Sequence, residues 1–247
     1  MVSKKVISDI ISQYSLGGEI EKVKWQITDN ELYISFKNGS KTIAGEINHP
    51  GNLGLKKGTY GIYDTSKLTK CLNILDGDLL MEAKIINDTP SILNIADTNY
   101  EIRFNLASAG AIENTDINQI KTPKEESASF NISDEFITRF VKSKNALSDI
   151  EKFTVKTREG FSGDELVFTI GTELKGSTIE FTSDATVTKP FKSIPFAAES
   201  FKEILKANRS YENGKFTIYN EGFIIVNFTF KDKTSTKYFI IRLQDSH

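Results

Sequence analysis

The residues that could carry out chemistry are few in this chain of 247 residues, and their spacing does not predict an enzyme. Of the two histidines, His49 lies in a glycine-rich region and His247 is the last residue, which suits neither a histidine-ligated metal site nor a serine triad. The sequence contains no GxSxG motif and no Walker loop, and the glycines of the loop 51–58 have the wrong spacing for one. Paired carboxylates stay open as an acid–base site, because 33 Asp and Glu residues allow many pairings. We therefore predict no enzyme, no metal site and no cofactor.

The other reactive side chains have structural interpretations. Asp64, Asp134 and Glu199 lie at predicted helix starts, where a carboxylate faces exposed amides and the positive end of the helix dipole. Cys71 is the only cysteine, so it cannot form an internal disulfide, and its position among apolar residues predicts a small core side chain. That cysteine usage is typical of a reducing cytoplasm. No apolar run approaches the length of a membrane span, so we expect a cytoplasmic protein without membrane association.

Four stretches have the apolar periodicity of amphipathic helices, and each is followed by short alternating segments that predict strands. In the last of them, Phe201, Ile204 and Leu205 share one helix face. The four stretches are 4–14, 62–75, 130–144 and 194–209, with Ser133 as the N-cap of the third helix. The predicted strands include VKWQI and ELYISFK, and the stretch from Asp184 to Pro195 is predicted as a loop that leads into the last helix. The chain thus repeats one plan of a helix and several short strands, which predicts copied units that share a buried interface.

The segment 109–127 interrupts this plan, because it has almost no periodicity, contains Pro123 and ends in charged residues. We predict a first domain at 1–109, a linker at 110–127 and a second domain at 128–247. The expected fold class is α+β, with two similar domains that each pack two helices on antiparallel sheets.

Basic residues are concentrated on the predicted helices. The four helical segments hold ten Lys and Arg residues against six Asp and Glu, an excess of four positive charges, although the whole chain has a formal charge of −2. Two interpretations remain open: ordinary solvated helix faces, or a surface that contacts DNA phosphates without reading sequence. Nine residues are candidates for facing DNA: Lys4, Lys5, Lys67, Lys70, Arg139, Lys142, Lys202, Lys206 and Arg209.

Several segments resemble the sliding clamps of DNA replication, the proliferating-cell-nuclear-antigen (PCNA) type, and among them the clamps of T-even phages. The segments that carry the resemblance are GTYGIYDTSKLTKCLNIL, SASFNISDEFITRFVKSKNAL, SIPFAAESFKEILKAN and FIIVNFTFKDKTSTKYFIIRLQ. The resemblance covers nearly the whole chain but includes no catalytic motif, and it is weakest over the first 55 residues. Unlike the cellular family, this chain ends in QDSH instead of a longer acidic tail.

The resemblance implies a non-enzymatic processivity factor in which two DNA-clamp domains per chain close head to tail as a homotrimer. The ring would have pseudo-sixfold symmetry, with helices around double-stranded DNA and sheets outside. Implied partners are a DNA polymerase and a clamp-loader ATPase. Strands 100–106 and 177–183 would join subunits, and the interface candidates are Tyr100, Ile102, Phe104, Leu106, Ile179 and Phe181; each could instead be an internal strand.

Clamps of this type bind a short partner peptide in an apolar pocket. By position, the resemblance assigns this pocket to Ile43, Ile117, Ile120, Phe239 and Ile241, although these residues could also be plain core. A different class of protein remains as the alternative: a phage structural or carbohydrate-binding β-rich protein, in which the helices would be buried supports.

Overall fold

The computed structural model describes residues 1–160, 163–171 and 176–244. Contacts divide the chain into two compact units. The first, called here the N-terminal unit, comprises Met1–Gly39, Ala44–Ile117 and Lys231–Thr236. The C-terminal unit comprises Ser40–Ile43, Asn118–Phe230 and the chain from 237 onward. The boundary after Ile117 falls within the segment predicted as a linker, and the division into domains 1–109 and 128–247 stays a prediction.

The N-terminal unit contains two helices and two groups of antiparallel strands. The helices are α1 Lys4–Ser15 and α2 Thr65–Asn73. One sheet has the order β1-β6-β7-β8, with β1 Val2–Ser3, β6 Asp78–Ile86, β7 Thr89–Ala96 and β8 Glu101–Asn105. The other strands follow the order β4-β3-β2-β5, with β2 Val23–Ile27, β3 Glu31–Lys37, β4 Ile43–Pro50 and β5 Gly58–Ile62. The alternation of apolar residues in these strands therefore produces sheets with one buried face.

The C-terminal unit repeats this arrangement. Its helices are α3 Asp134–Ala146 and α4 Ala198–Ala207. One antiparallel sheet has the order β12-β11-β10-β14, with β10 Lys152–Gly160, β11 Gly163–Ile170, β12 Ile179–Ser183 and β14 Ile194–Ala197. The other strands follow the order β13-β9-β15-β16-β17, with β9 Ala128–Asn131, β13 Thr186–Val187, β15 Asn213–Tyr219, β16 Phe223–Thr229 and β17 Ser235–Ile241.

Aromatic rings fill the core of the C-terminal unit. The ring of Phe140 from α3 lies 4.8 Å from Phe201 of α4 and 5.0 Å from Phe153 of β10, both in edge-to-face geometry. Phe136 lies 5.0 Å from Phe168 in the neighbouring strand β11. Such pairs add about 0.5–1.5 kcal/mol each beyond the burial of their surface, so they fix both helices on the sheet.

The predicted helix starts are confirmed. The Ser133 hydroxyl accepts a hydrogen bond from the Phe136 amide at 3.1 Å and is the N-cap of α3. Asp64 accepts one from the Lys67 amide at 2.7 Å at the start of α2. Asp134 and Glu199 lie in the first turns of their helices, so these three carboxylates have the structural role that was predicted for them.

Two expectations were wrong. The stretch from Asp184 to Pro195, predicted as a loop, contains β13 and the start of β14, which pairs with β10 through Phe153 and Phe196. These strands of two and four residues are too short to show an alternating pattern. Cys71, predicted as a core residue, is only half-buried, because it lies toward the edge of the apolar stripe of α2 that Leu68 and Leu72 define.

Candidate nucleic-acid interface

The four helices carry eight of the nine basic residues that were predicted to face DNA, and Arg209 lies two residues beyond the end of α4. Their apolar stripes are buried: Ile7 and Ile11 in α1, Leu68 in α2, Phe140 in α3 and Leu205 in α4 are each at most 3% exposed. Helix α1 packs beside α2, and α3 packs beside α4. The basic residues therefore lie on or beside the outward sides of two helix pairs, but their environments differ.

Lys4 has a structural partner instead of a free amine. Its Nζ donates to the backbone oxygen of Asn73 at 3.4 Å and to that of Leu75. These carbonyls lie at the C-terminal end of α2, where the helix dipole favours a positive charge. Lys4 thus fastens the start of α1 to the end of α2.

Four of the basic residues form ion pairs on their own helices. Lys5 pairs with Asp9, and Arg139 pairs with Glu135 at 2.5 Å. In α4, the amine of Lys206 lies 2.9 Å from Glu203, and Lys202 contacts both Glu199 and Glu203. Burial by itself would lower the pKa of Lys202, but these carboxylates outweigh it and raise the pKa, so the amine stays charged. The face of α4 is close to neutral as a result.

Three lysines remain without such partners. Within the described part of the chain, the side chains of Lys67, Lys70 and Lys142 form no hydrogen bond or ion pair, and all three residues are exposed. Arg209 is also exposed and makes one long contact of 3.4 Å to the hydroxyl of Thr138. Cations without a competing carboxylate offer the strongest attraction to phosphate oxygens. Lys67, Lys70 and Lys142 are therefore the principal candidates for contact with nucleic acid.

The strands predicted to join subunits lie at sheet edges. Strand β8 is the last strand of the sheet β1-β6-β7-β8, and β12 is the first of the sheet β12-β11-β10-β14. Tyr100 precedes β8 and is 53% exposed, whereas Phe104 is 3% exposed. The other four candidates are half-buried: Ile102, Leu106, Ile179 and Phe181. Both edges thus present unpaired backbone groups that another strand could bond.

The five residues assigned to a partner-peptide pocket have unequal exposure. Ile43 is 0%, Phe239 3% and Ile117 6% exposed, so their side chains present little surface. Ile120 is half-buried, and Ile241 is 44% exposed. Four of the five belong to the C-terminal unit, and Ile117 ends a segment of the N-terminal unit. The peptide pocket stays a prediction, and Ile120 and Ile241 are the members with accessible apolar surface.

Sequence reasoning missed two sets of charged residues. Lys144 is only 3% exposed, and its amine bonds the backbone oxygen of Ser148 at 2.8 Å and lies 3.3 Å from Glu199, which ties α3 to α4. On the sheet of the C-terminal unit, Arg158 bonds Glu180 of the edge strand β12 at 2.5 Å. The alternation of polar residues in these strands could have indicated the second set, but nothing in the sequence signals that Lys144 is buried.

His49 has no arrangement suited to catalysis. It is 8% exposed, and its Nδ1 lies 2.7 Å from the hydroxyl of Thr234 and 3.8 Å from Asp232. No group of three or more potential metal ligands occurs among the residues that the structure describes, and His247 lies outside them. None of the helices within those ranges is long and apolar enough to cross a membrane.

The burial of His49 has a consequence for pH. Desolvation lowers its pKa from the usual 6.5, and the weaker attraction of Asp232 opposes this shift. Because the unfolded chain then binds the proton more readily than the folded one, stability is complete above about pH 6.5 and falls as the pH decreases below it. We expect His49→Gln to reduce this loss, measured as the urea midpoint at pH 5.5 and 7.5 for both proteins. An unchanged difference between the two pH values in the variant would contradict this role.

One pair of helices packed on antiparallel sheets, built twice in one chain, defines the fold of the sliding clamps. Among solved structures, the chain is similar to the proliferating cellular nuclear antigen of Entamoeba histolytica, with a TM-score of 0.70 and 15% sequence identity over 98% of this chain and 96% of the other. The predicted α+β clamp fold is confirmed. No protein-family model matches the sequence, and no curated protein matches it either.

Proposed function

We propose that this protein is a sliding clamp, a ring-shaped processivity factor that tethers a DNA polymerase to duplex DNA. The observation that carries the proposal is the clamp fold over almost the whole chain, shared with a protein named as a nuclear antigen of proliferating cells. The T-even-phage likeness of the segments quoted above supports a finer proposal, a viral clamp that acts in the host cytoplasm. The tether is topological and needs no catalytic group.

The helices would form the inner surface of the ring. Lys67, Lys70 and Lys142 would make transient contacts with phosphates, which attract DNA of any sequence and depend strongly on salt. The exposed pairs Lys5–Asp9 and Arg139–Glu135 would contribute less, because each cation must exchange its carboxylate for a phosphate. Such surface pairs contribute only about 0.3–0.5 kcal/mol, so replacing the carboxylate by a phosphate costs little free energy.

Three chains would close the ring through head-to-tail contacts between β8 and β12. The contact uses different surfaces on the two subunits, and such an interface forms a ring only if its rotation closes. Pairing the two strands would also cover two sheet edges that otherwise promote aggregation. Opening and loading the ring would be the task of a partner clamp-loader ATPase, and the apolar surface at Ile120 and Ile241 would contribute to polymerase docking.

A threading assay tests the proposal without a loader. A closed ring can pass over the end of a linear duplex but cannot enter a covalently closed plasmid or a duplex whose ends are blocked by streptavidin. We expect retention on linear DNA with free ends and loss on the other two substrates at the same salt concentration. Sedimentation should give a trimer in the same buffer.

The assay separates the proposal from its alternative. Equal binding to all three DNA substrates would indicate a groove-binding protein, not a ring. A stable monomer at every attainable concentration, combined with binding in a glycan screen, would favour the carbohydrate-binding class instead.

A further inference from the structure

We infer that β8 of one subunit pairs antiparallel with β12 of the next in one register, in which Arg103 lies opposite Glu180. This inference rests on the proposed ring and adds to it the alignment of the joint. Antiparallel pairing is favoured because both sheets are antiparallel throughout and because parallel pairs are slightly less stable per residue.

The first step concerns the direction of the backbone groups on β8. The Leu106 amide donates to the Ser91 oxygen at 2.9 Å, so Leu106 turns its backbone toward β7. Because backbone direction alternates along a strand, Ile102 and Phe104 also bond β7, whereas the N–H and C=O groups of Arg103 point to the free edge. The same holds for Glu101 and Asn105, which flank it at a distance of two residues.

The second step gives the same information for β12. The Ala198 amide donates to the Glu151 oxygen at 2.8 Å, which sets the alternation on β10. The observed residue pairs of β10 with β11, and of β11 with β12, carry this alternation to the edge strand. The backbone N–H and C=O groups of Ile179 and Phe181 therefore bond β11, whereas those of Glu180 point to the free edge. Arg103 and Glu180 therefore belong to the residues that can form a hydrogen-bonded pair, and only shifts by two residues preserve this match.

The side-chain faces agree with this pairing. Phe104 stacks on Tyr63 at 5.8 Å on the buried side of its sheet, and Phe181 stacks on Phe168 at 5.6 Å in the aromatic core. Arg103 and Glu180 are consequently on the opposite, outer faces of their sheets, and both are exposed. A continuous sheet across the joint would place the apolar residues together on one face and these charges together on the other.

Charge decides among the allowed registers. With Arg103 opposite Glu180, unlike charges face each other at the centre of the joint. A shift by two residues in one direction places Glu101 opposite Glu180, and a shift in the other places it opposite Asp184. Like charges directly opposite each other destabilise strand pairs, so both shifted registers are disfavoured.

Glu180 is the carboxylate that Arg103 would contact across the joint. Burial by itself would raise the pKa of this carboxyl, but the hydrogen bond from Arg158 and the charge of Lys156 outweigh burial and lower it, so the group is ionised. Arg158 and Lys156 lie 2.5 Å and 3.4 Å from it on the side of β10. Arg103, in contrast, makes no ion pair with any residue that the structure describes. The free edge of β12 thus presents a carboxylate that Lys156 and Arg158 already share, and Arg103 would join this ion cluster from the opposite strand.

The same register gives Tyr100 a place to bind. Counting back from Arg103 sets Tyr100 opposite Ser183, which lines a pocket of about 230 Å³ together with Phe136 and Arg139. Tyr100 is 53% exposed in the single chain, so its ring is accessible to a neighbouring subunit. In the joint, its ring would enter this pocket, whereas Ile102 and Phe104 would face Phe181 and Ile179.

Cysteine cross-linking tests the register. In a Cys71→Ser background, Tyr100→Cys combined with Ser183→Cys places two cysteines at a non-hydrogen-bonded pair, where the Cα atoms are about 4.5 Å apart. The matched control combines Ile102→Cys with Ser183→Cys, whose Cα atoms would be about 7–8 Å apart in the proposed register. We expect cross-linked oligomers on oxidation in a yield on the order of tenfold higher for the first pair, because disulfides require Cα separations below about 7 Å.

The outcomes separate the register from the ring. A higher yield for the control pair, or no cross-link in either variant although sedimentation still gives trimers, would overturn the register and leave the proposed function standing. Monomers for the unmodified chain and both variants would overturn the ring and the register together.

Charge exchange provides a second measurement that needs no cysteine. Arg103→Glu should weaken each joint on the order of fivefold, which corresponds to about 1 kcal/mol for an exposed pair. Glu180→Arg should also weaken it, and the combined variant should recover affinity relative to either single change. Additive losses in the combined variant would contradict direct contact between the two residues.

Discussion

Reversing three unpaired charges, in the variant Lys67→Glu, Lys70→Glu, Lys142→Glu, is expected to remove most of the attraction to DNA and leave the fold intact. All three side chains are exposed and have no partner within the described ranges, so their replacement breaks no internal contact. The slope of log affinity against log salt is negative, and each lost phosphate contact should make it less steep by about 0.9. Retention on linear DNA, measured between roughly 50 and 200 mM salt, should therefore fall and lose much of its salt dependence.

A matched control carries the same change of net charge on other elements. Lys84 lies on β6, and Lys192 and Lys231 lie in connecting segments; all three are exposed. The variant Lys84→Glu, Lys192→Glu, Lys231→Glu should retain the salt slope and most of the binding. If both triple variants lost binding equally, net charge would explain the effect and the assignment of the helix faces would be wrong.

Phe140→Ala is expected to have the largest effect on stability, about 3–5 kcal/mol. Phe140 is 0% exposed and contacts the rings of Phe153 and Phe201, so its removal leaves a cavity where α3, α4 and the sheet meet. The surrounding rings are held by their own strands and can close this space only in part. Equilibrium unfolding in urea, followed by circular dichroism, measures the loss.

The control for this change is Asn145→Ala, an exposed position on the same helix. Its effect should stay within about 0.5 kcal/mol, as is usual for surface substitutions that remove no cap or network. A loss below about 1 kcal/mol for Phe140→Ala would mean that the aromatic cluster closes without a cavity, and would contradict the interpretation of this core.

The repeated plan could be predicted from the sequence because its elements carry local signals. The spacing of Phe201, Ile204 and Leu205 defines one apolar stripe, and Ser133 followed by an amphipathic segment marks a helix start. The strands β2 and β3 lie at the predicted residues because each alternates apolar and polar side chains between turn residues. These features depend on neighbours in the sequence and need no knowledge of distant contacts.

The sequence could not predict in this way which charged side chains are exposed and unpaired and which are buried in ion pairs. Lys142 and Lys144 are two residues apart on α3, yet the first is exposed and the second is buried against Glu199 of another helix. Which lysine is neutralised depends on how α3 and α4 pack, and that packing is set by distant aromatic rings. The positions of β8 and β12 at sheet edges are likewise properties of the folded sheets, because the residues of a strand do not indicate whether it has one neighbouring strand or two.

The acidic residues along α4 affect motion as well as binding. Glu199 and Glu203 pair with Lys202 and Lys206, so this helix offers little free positive charge. In the proposed ring, this neutralisation would keep the contacts of α4 with phosphates weak. The energy of the ring would then vary less from one position on the duplex to the next. A flatter energy profile means low friction: the ring would diffuse along DNA quickly because the part of its inner surface that α4 forms holds no phosphate for long.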